Sequence, residues 1–429
     1  MIPLVSVKKN IFFSFTEKFL RAALSFVSLG IVARYLGPEQ YGTLSYLLAL
    51  VSYFQLLGAF GLDQVLMRLL VSQSERMQET FWESVIFKSF FSSASLGLYV
   101  LFLYLNGEVS SLSILFGIAI LASVFDNNRI LLETKNQHHV VAKIEVIYQL
   151  SSASFKIIFC EFEFGVPLIF SLFVLDFFVT KIVMLVAIKN VVFPIKKLNL
   201  RFKTLKFYTK AGFLHCLSTI FVIVYMKIDQ VLVGKMMGMN ALGNYSAAVR
   251  VSDAWYFIPM TISSIFYPLA LLNQKEKDNK YLQLIFDLTL WVAVIIIGIA
   301  FLFSDEIFHL MFGGNFIVNK LLLNVLFYNG FLISLCISTA SWLNVKGDRK
   351  IIFVRSMTGA FINIVLNLYM IPRLGLIGCG FASLISYGVT FIITFAHSES
   401  QECLTYLKRS LNLYDFYFRL IEIVRQKAD

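Results

Sequence analysis

Apolar residues in this chain arrive in blocks of roughly twenty, the length at which an α-helix crosses about 30 Å of hydrocarbon, and the blocks succeed one another almost from end to end. That pattern leaves few folds open. With 58% hydrophobic and 15% charged residues, the 429-residue chain has more apolar surface than a soluble domain of its length could bury. A bilayer supplies the missing partner. Segments of about ten alternating residues are not found, which argues against a transmembrane β-barrel.

The expected fold is therefore an all-α integral membrane protein of about twelve transmembrane helices. The predicted spans run 11–35, 41–69, 81–105, 111–129, 140–160, 166–188, 208–234, 243–271, 284–303, 321–344, 351–371 and 376–397. The basic start, followed by Glu17, Lys18 and Arg21 with no clear small-residue cleavage site, reads as a retained first helix. The five cysteines (Cys160, Cys216, Cys336, Cys379, Cys403) fit buried small hydrophobes better than a disulfide framework.

Orientation follows from Lys and Arg, because positive connectors stay cytoplasmic. The connector after the sixth span holds Lys189, Lys196, Lys197, Arg201, Lys203 and Lys206. Arg76, Lys135, then Lys275, Lys277 and Lys280, then Lys346, Arg349 and Lys350 fall on the same face if the spans number twelve. Lys235, Lys320 and Arg373 stand singly on the other. Both termini are thus expected in the cytoplasm. The net charge of +11 is accounted for by loops facing anionic lipid headgroups, so nucleic acid is not an expected partner. The tail 398–429 mixes Leu407, Leu411, Tyr414, Phe418 and Ile421 with Lys408, Arg409, Arg419 and Arg425, which suggests a cytoplasmic, interfacial amphipathic helix.

A shift of 201 positions superposes Lys9 on Lys210, Arg34 on Lys235, Gly37 on Gly238, Gly42 on Gly243 and Ser45 on Ser246. Both copies fall at a hairpin between an odd and an even span. An even number of spans separates them, so two six-helix lobes, 1–200 and 201–397, are expected around a pseudo-two-fold axis along the membrane normal.

Ionisable residues inside spans need a partner or water. Lys18, Arg21, Ser25 and Ser28 form one polar helical stripe, and Ser246, Arg250, Asp253 and Tyr256 form another, with Pro259 as an expected kink. Lys88, Lys156, Lys181, Lys227 and Arg355 also lie within spans, against Asp126, Asp176, Asp229 and Asp287. One reading is self-neutralisation, with Glu17 pairing Arg21 and Arg250 pairing Asp253 to lock helices together. The other, favoured by the apparent excess of bases, is a water-filled cationic cavity suited to an anion such as a diphosphate. Asp63, Asp176 and Asp229 are candidate ion-coupling groups, with capping or ion-pair roles as the alternative.

No G-x-x-x-x-G-K-[ST] loop occurs, so no nucleotide-driven motor is encoded in this chain. His138 and His139 lack the neighbours of a metal site, and neither metal nor cofactor is expected. Gly375, Gly378 and Gly380 read as close packing or a tight turn. The segment 304–320 reads as a short interfacial helix ended by Gly313 and Gly314, too poor in ionisable groups for an active site, so no enzymatic activity is expected.

The stretches RYLGPEQYGTLSY from Arg34, KIDQVLVGKMMGMNALGNYSAAVRVSDAWYFIP from Lys227 and NIVLNLYMIPRLGLIGCGFASLISY from Asn363 resemble the polysaccharide flippases, the O-antigen and capsule repeat-unit translocases of the multidrug/oligosaccharidyl-lipid/polysaccharide exporter superfamily. One departure is Leu374, where an aromatic is expected. The resemblance implies a protein of the bacterial inner membrane that moves undecaprenyl-diphosphate-linked oligosaccharides between leaflets by alternating access. Its cationic cavity would map onto Lys18, Arg21, Lys156, Lys227 and Arg250, with Asp253 beside Arg250. Membrane lipids, a polymerase and chain-length proteins of the same pathway are the other expected partners. The competing readings are a drug or ion antiporter of the same superfamily, which would favour buried carboxylates, and a membrane-embedded glycan polymerase, which would favour a long extracytoplasmic loop.

Overall fold

The structure, a computed structural model, describes residues 4–72, 76–135, 137–193, 202–275, 278–414, 416–417 and 419, and every regular element among them is helical. In order these are α1 (Leu4–Ala59), α2 (Leu62–Ser72), α3 (Met77–Leu105), α4 (Ser111–Ile118), a 3₁₀ turn (Ala119–Phe125), α5 (Asp126–Thr134), α6 (His138–Glu161), α7 (Val166–Asp176) and α8 (Val179–Val192). There follow α9 (Phe202–Met237), α10 (Met239–Asp253), α11 (Phe257–Leu272), α12 (Lys280–Phe312), α13 (Lys320–Lys346), α14 (Arg349–Ile393), a 3₁₀ turn (Thr394–Ala396) and α15 (Ser400–Leu411).

Two of the long helices are broken internally. In α1 the break is Gly37, at φ 71° and ψ 171°, followed by Pro38. In α14 it is Gly375, at φ 61° and ψ −141°. Residues twenty apart in a straight helix lie about 30 Å apart, yet the Asn363 side chain donates to Ser383 Oγ at 3.3 Å. The two limbs of α14 therefore fold back on each other as a hairpin. A Cβ on Gly378 would lie 2.5 Å from the Met370 carbonyl oxygen, so the turn admits no larger side chain without shifting backbone.

Seven of the described helices are long and apolar enough to cross a membrane, or eight if α10 and α11, bent by 42°, count as one span. Helices α6 and α9, placed in the bilayer from the sequence, are not among the seven. The bend before α11 lies ahead of Pro259, which occupies the first turn of that helix, where a missing N–H costs nothing. It marks the start of a helix and not a kink within one. The expected short helix after Ser304 is the last part of α12, which continues to Phe312 and ends at Gly313 with φ 73°.

By packing, the chain divides into two compact units, one of Leu20–Asn244 and the other of Met1–Phe19 with Tyr245–Asp429. The first has a core of Leu66, Leu70, Phe81, Leu131, Leu132, Val141, Met184 and Ile188, drawn from α2, α3, α5, α6 and α8. Helix α9 joins it by packing Tyr208 against Leu62, Val65 and Phe87. The second has a core of Leu282, Ile285, Phe286, Trp342, Leu343, Cys403 and Tyr406. Hydroxyl contacts cross between its helices, Thr289 to Ser338 at 2.5 Å and Ser263 to Ser341 at 2.7 Å, as small polar residues do between packed membrane helices.

Helix α15 is amphipathic, as the sequence suggests, but its Cys403 and Tyr406 belong to the core of the second unit. Beyond it Arg419 forms a two-point bond to Asp287, at 2.8 and 3.1 Å, and Ser410 and Gln283 donate to the same carboxylate at 2.6 and 2.8 Å. Leu407 packs against the same core, whereas Leu411 and Tyr414 stay exposed. Phe418, Ile421 and Arg425 lie outside the described residues, as do Lys196, Lys197 and Arg201 of the basic connector.

Candidate functional site

In the first unit, α1, α5 and α6 bring together Arg21, Arg129 and Glu145. Arg21 Nη1 donates to Glu145 Oε2, and Arg129 Nη1 donates to Oε1 of the same carboxylate at 2.8 Å. Arg129 also donates through Nε to Glu133 at 2.7 Å, one helical turn along α5. The carboxylate is the buried member: the Glu145 side chain is 9% exposed, against 37% for Arg21 and 47% for Arg129. Glu17, the partner expected for Arg21, has a side chain outside the described residues.

The deep lysines of this unit follow a different pattern. Lys88 is fully buried and pairs with Asp63, Lys156 pairs with Asp176, and Lys181 lies 2.8 Å from Asp126. Asp176 also accepts from Tyr148 at 2.6 Å and Ser152 at 2.7 Å, and the Lys156 ammonium sits 4.1 Å from the centre of the Phe173 ring. Each pair joins different helices, and removing the acid strands the more deeply buried lysine in a poorly solvated interior. Three of the deep bases counted as an excess are thus matched by acids, and Lys156 and Asp176, assigned to different roles from the sequence, are each other's partners. Lys227 and Asp229 lie on α9, the first half-buried and the second buried, with Asp229 Oδ1 accepting from the Gln230 amide at 2.8 Å.

In the second unit Lys18 donates to Ser264 of α11 at 3.2 Å. Arg250 and Asp253 stand half-buried in the last turn of α10, at the bend. Arg355, buried, is held by neutral oxygens alone among its described hydrogen bonds: Thr339 at 3.2 Å, Thr394 at 3.1 Å and the Cys336 carbonyl at 3.1 Å. Among the described residues no group of three metal-ligating side chains converges.

The two copies of the internal repeat meet inside the first unit. A Cβ on Gly42 would overlap the Met239 carbonyl oxygen, and one on Gly243 would overlap that of Pro38. Since 38 and 42 become 239 and 243 at an offset of 201, the contact is reciprocal: each hairpin presses its glycine on the backbone of the other. Nearby, Lys235 bonds to Glu108 and to Asn106 Oδ1 at 2.9 Å, and the Tyr46 hydroxyl donates to Glu108 at 3.0 Å. The sequence exposes the repeat but not Arg129, Glu133 or Glu145, whose only local signal is the four-residue spacing of Arg129 and Glu133.

Comparison with known proteins places these features in context. A family model described as "Polysaccharide biosynthesis protein" matches residues 7–269. The probable low-salt glycan biosynthesis flippase Agl15 of Haloferax volcanii is 20% identical over 173 residues, 39% of this chain and 37% of that relative, so the match spans little more than a third of it. Among solved structures, lipid II flippase MurJ in an inward closed conformation superposes with a TM-score of 0.72 at 16% identity, covering 96% of each chain. An inward-facing multidrug resistance MATE family transporter of the MOP superfamily superposes with a TM-score of 0.66 at 13% identity, covering 90% of this chain and 96% of that one. The fold is that of these membrane transporters.

Proposed function

The chain belongs to the polysaccharide biosynthesis protein family, and from that premise we propose that it is a flippase for a lipid-linked oligosaccharide. The support is the pairing of that membership with a multi-pass transporter fold. A glycan-assembly pathway that builds its units on a lipid must carry a head too polar for hydrocarbon across the bilayer, and this is work for a transporter, not a catalyst. Homologues named as flippases and transporters agree with the expectation that the chain is no enzyme.

In the finer reading the substrate is an undecaprenyl-diphosphate-linked repeat unit of an O-antigen or similar surface polysaccharide. It crosses the bacterial inner membrane by alternating access in a twelve-span protein with two six-helix lobes, 1–200 and 201–397, and both termini in the cytoplasm. Lys18, Arg21, Lys227, Arg250 and Asp253 serve the anionic head, while Lys156 and Asp176, matched to each other, hold helices together. Asp63 is in the same position relative to Lys88, which leaves Asp229 as the candidate coupling group. Polymerase and chain-length proteins of the pathway receive the product. A drug or ion antiporter would share the fold, but the partly exposed side chain of Arg21 suits an anion better than a cationic drug.

The test is translocation in cells lacking the gene. Wild-type protein restores surface glycan, and Arg21→Ala or Arg250→Ala lowers it by at least about tenfold at equal membrane insertion, the effect of losing one charge-assisted contact. Wild-type glycan in both variants would remove these residues from the substrate path.

A further inference from the structure

Arg21, Arg129 and Glu145 invert the arrangement of the lysine pairs. Lys88 and Lys156 are 0% and 6% exposed and are covered by acids that face outward. Here the acid is inside, and two arginine side chains, 37% and 47% exposed, stand in front of it. Because their Nη1 atoms bond to the two oxygens of one carboxylate, those nitrogens lie within roughly 4–7 Å of each other. Each guanidinium has five N–H donors in a fixed fork; Arg129 gives Nε to Glu133 and Nη1 to Glu145, and Arg21 gives Nη1 to Glu145, so two adjacent oxyanion groups would bind this pair by displacing carboxylate oxygens.

Arginine side chains this exposed on membrane-embedded helices keep their charged ends toward water or headgroups, since hydrocarbon would expel them. Their position along the chain says which end of the membrane they serve. Arg129 lies five residues before the end of α5 and Glu145 seven residues after the start of α6, one to two turns from the connector that carries Lys135. That is the basic side, where a substrate made in the cytoplasm would enter. Two cations held a few ångströms apart match a diphosphate, whose two phosphoryl groups share one bridging oxygen. A monophosphate would engage only one of them fully.

Resting on the flippase reading, we propose that Arg21 and Arg129, held at this spacing by Glu145, are the loading site for the substrate's diphosphate. Glu145 occupies the guanidiniums when the site is empty and competes with the incoming anion. Arg129 is thereby a binding residue and Glu145 a positioning residue.

The test measures binding of farnesyl diphosphate and farnesyl monophosphate to the full chain in nanodiscs. Wild type should favour the diphosphate by about tenfold or more, the size of one charge-assisted contact. Arg129→Ala should erase that preference with little change in monophosphate affinity, and Arg129→Lys should restore it only in part. Glu145→Gln, which keeps an acceptor but removes the competing charge, should tighten diphosphate binding. An Arg129→Ala protein of normal thermal stability that keeps the wild-type preference would overturn the proposal, as would unchanged or weaker diphosphate binding by Glu145→Gln. Export in cells separates the two readings: if Arg129→Ala exports glycan as wild type does while Arg21→Ala fails, the loading site falls and the flippase stands. If wild type binds neither probe and exports no glycan, both fall.

Discussion

Lys156 is buried against Asp176, and Tyr148 and Ser152 bond the same carboxylate. Whether Asp176 couples an ion or merely answers Lys156 is decided by what its loss disturbs. Asp176→Asn should lower thermal stability in detergent by about 3–5 kcal/mol, the cost of stranding a buried charge. The double variant Lys156→Met with Asp176→Asn should recover most of it, along with transport. A stable Asp176→Asn protein that no longer transports would instead make Asp176 a coupling residue. The sequence shows which spans carry charge, and Arg21 and Lys156 stand out there as ionisable groups on apolar helices. It does not show partners. Arg21 meets an acid 124 positions away, and Lys156 one 20 positions away across a helix boundary, separations at which no helical periodicity applies.

Among elements, the strongest constraint is the reciprocal seating of Gly42 and Gly243 on each other's hairpin. Their neighbours are carbonyl groups that cannot rotate aside, so Gly42→Ala or Gly243→Ala should destabilise the protein by about 1–3 kcal/mol, as overpacking does. Gly298, with open space around its added Cβ, is the control; there alanine should be neutral or stabilise by up to about 1 kcal/mol. Equal melting temperatures for Gly42→Ala and Gly298→Ala would refute the close approach. The two glycines five apart are legible in the sequence as a recurrence, and the 201-residue offset tells which residues correspond. That corresponding residues touch is a fact of tertiary packing, which no local pattern encodes. The tail differs in the same way: its amphipathic pattern in α15 is readable, whereas the packing of Cys403 and Tyr406 into the second unit, with Leu411 and Tyr414 left exposed, is a matter of tertiary contacts.

For the whole molecule, hydropathy alone identifies an all-helical membrane protein, and the fold shared with MurJ and MATE structures agrees. The number of spans is harder to read, because Gly37 and Gly375 break helices that otherwise run on, and α6 and α9 carry charges that depress their apolar character while serving the interior of the first unit. Whether the protein carries a lipid-linked oligosaccharide between leaflets can be read from reconstituted flipping. Proteoliposomes would be loaded with a fluorescent undecaprenyl-diphosphate-linked oligosaccharide confined to one leaflet, and its exposure to an impermeant sugar-cleaving enzyme on the other side followed with time. Rapid exposure is expected with wild-type protein and slow exposure with Arg21→Ala; exposure with wild-type protein no faster than in protein-free liposomes would rule flipping out.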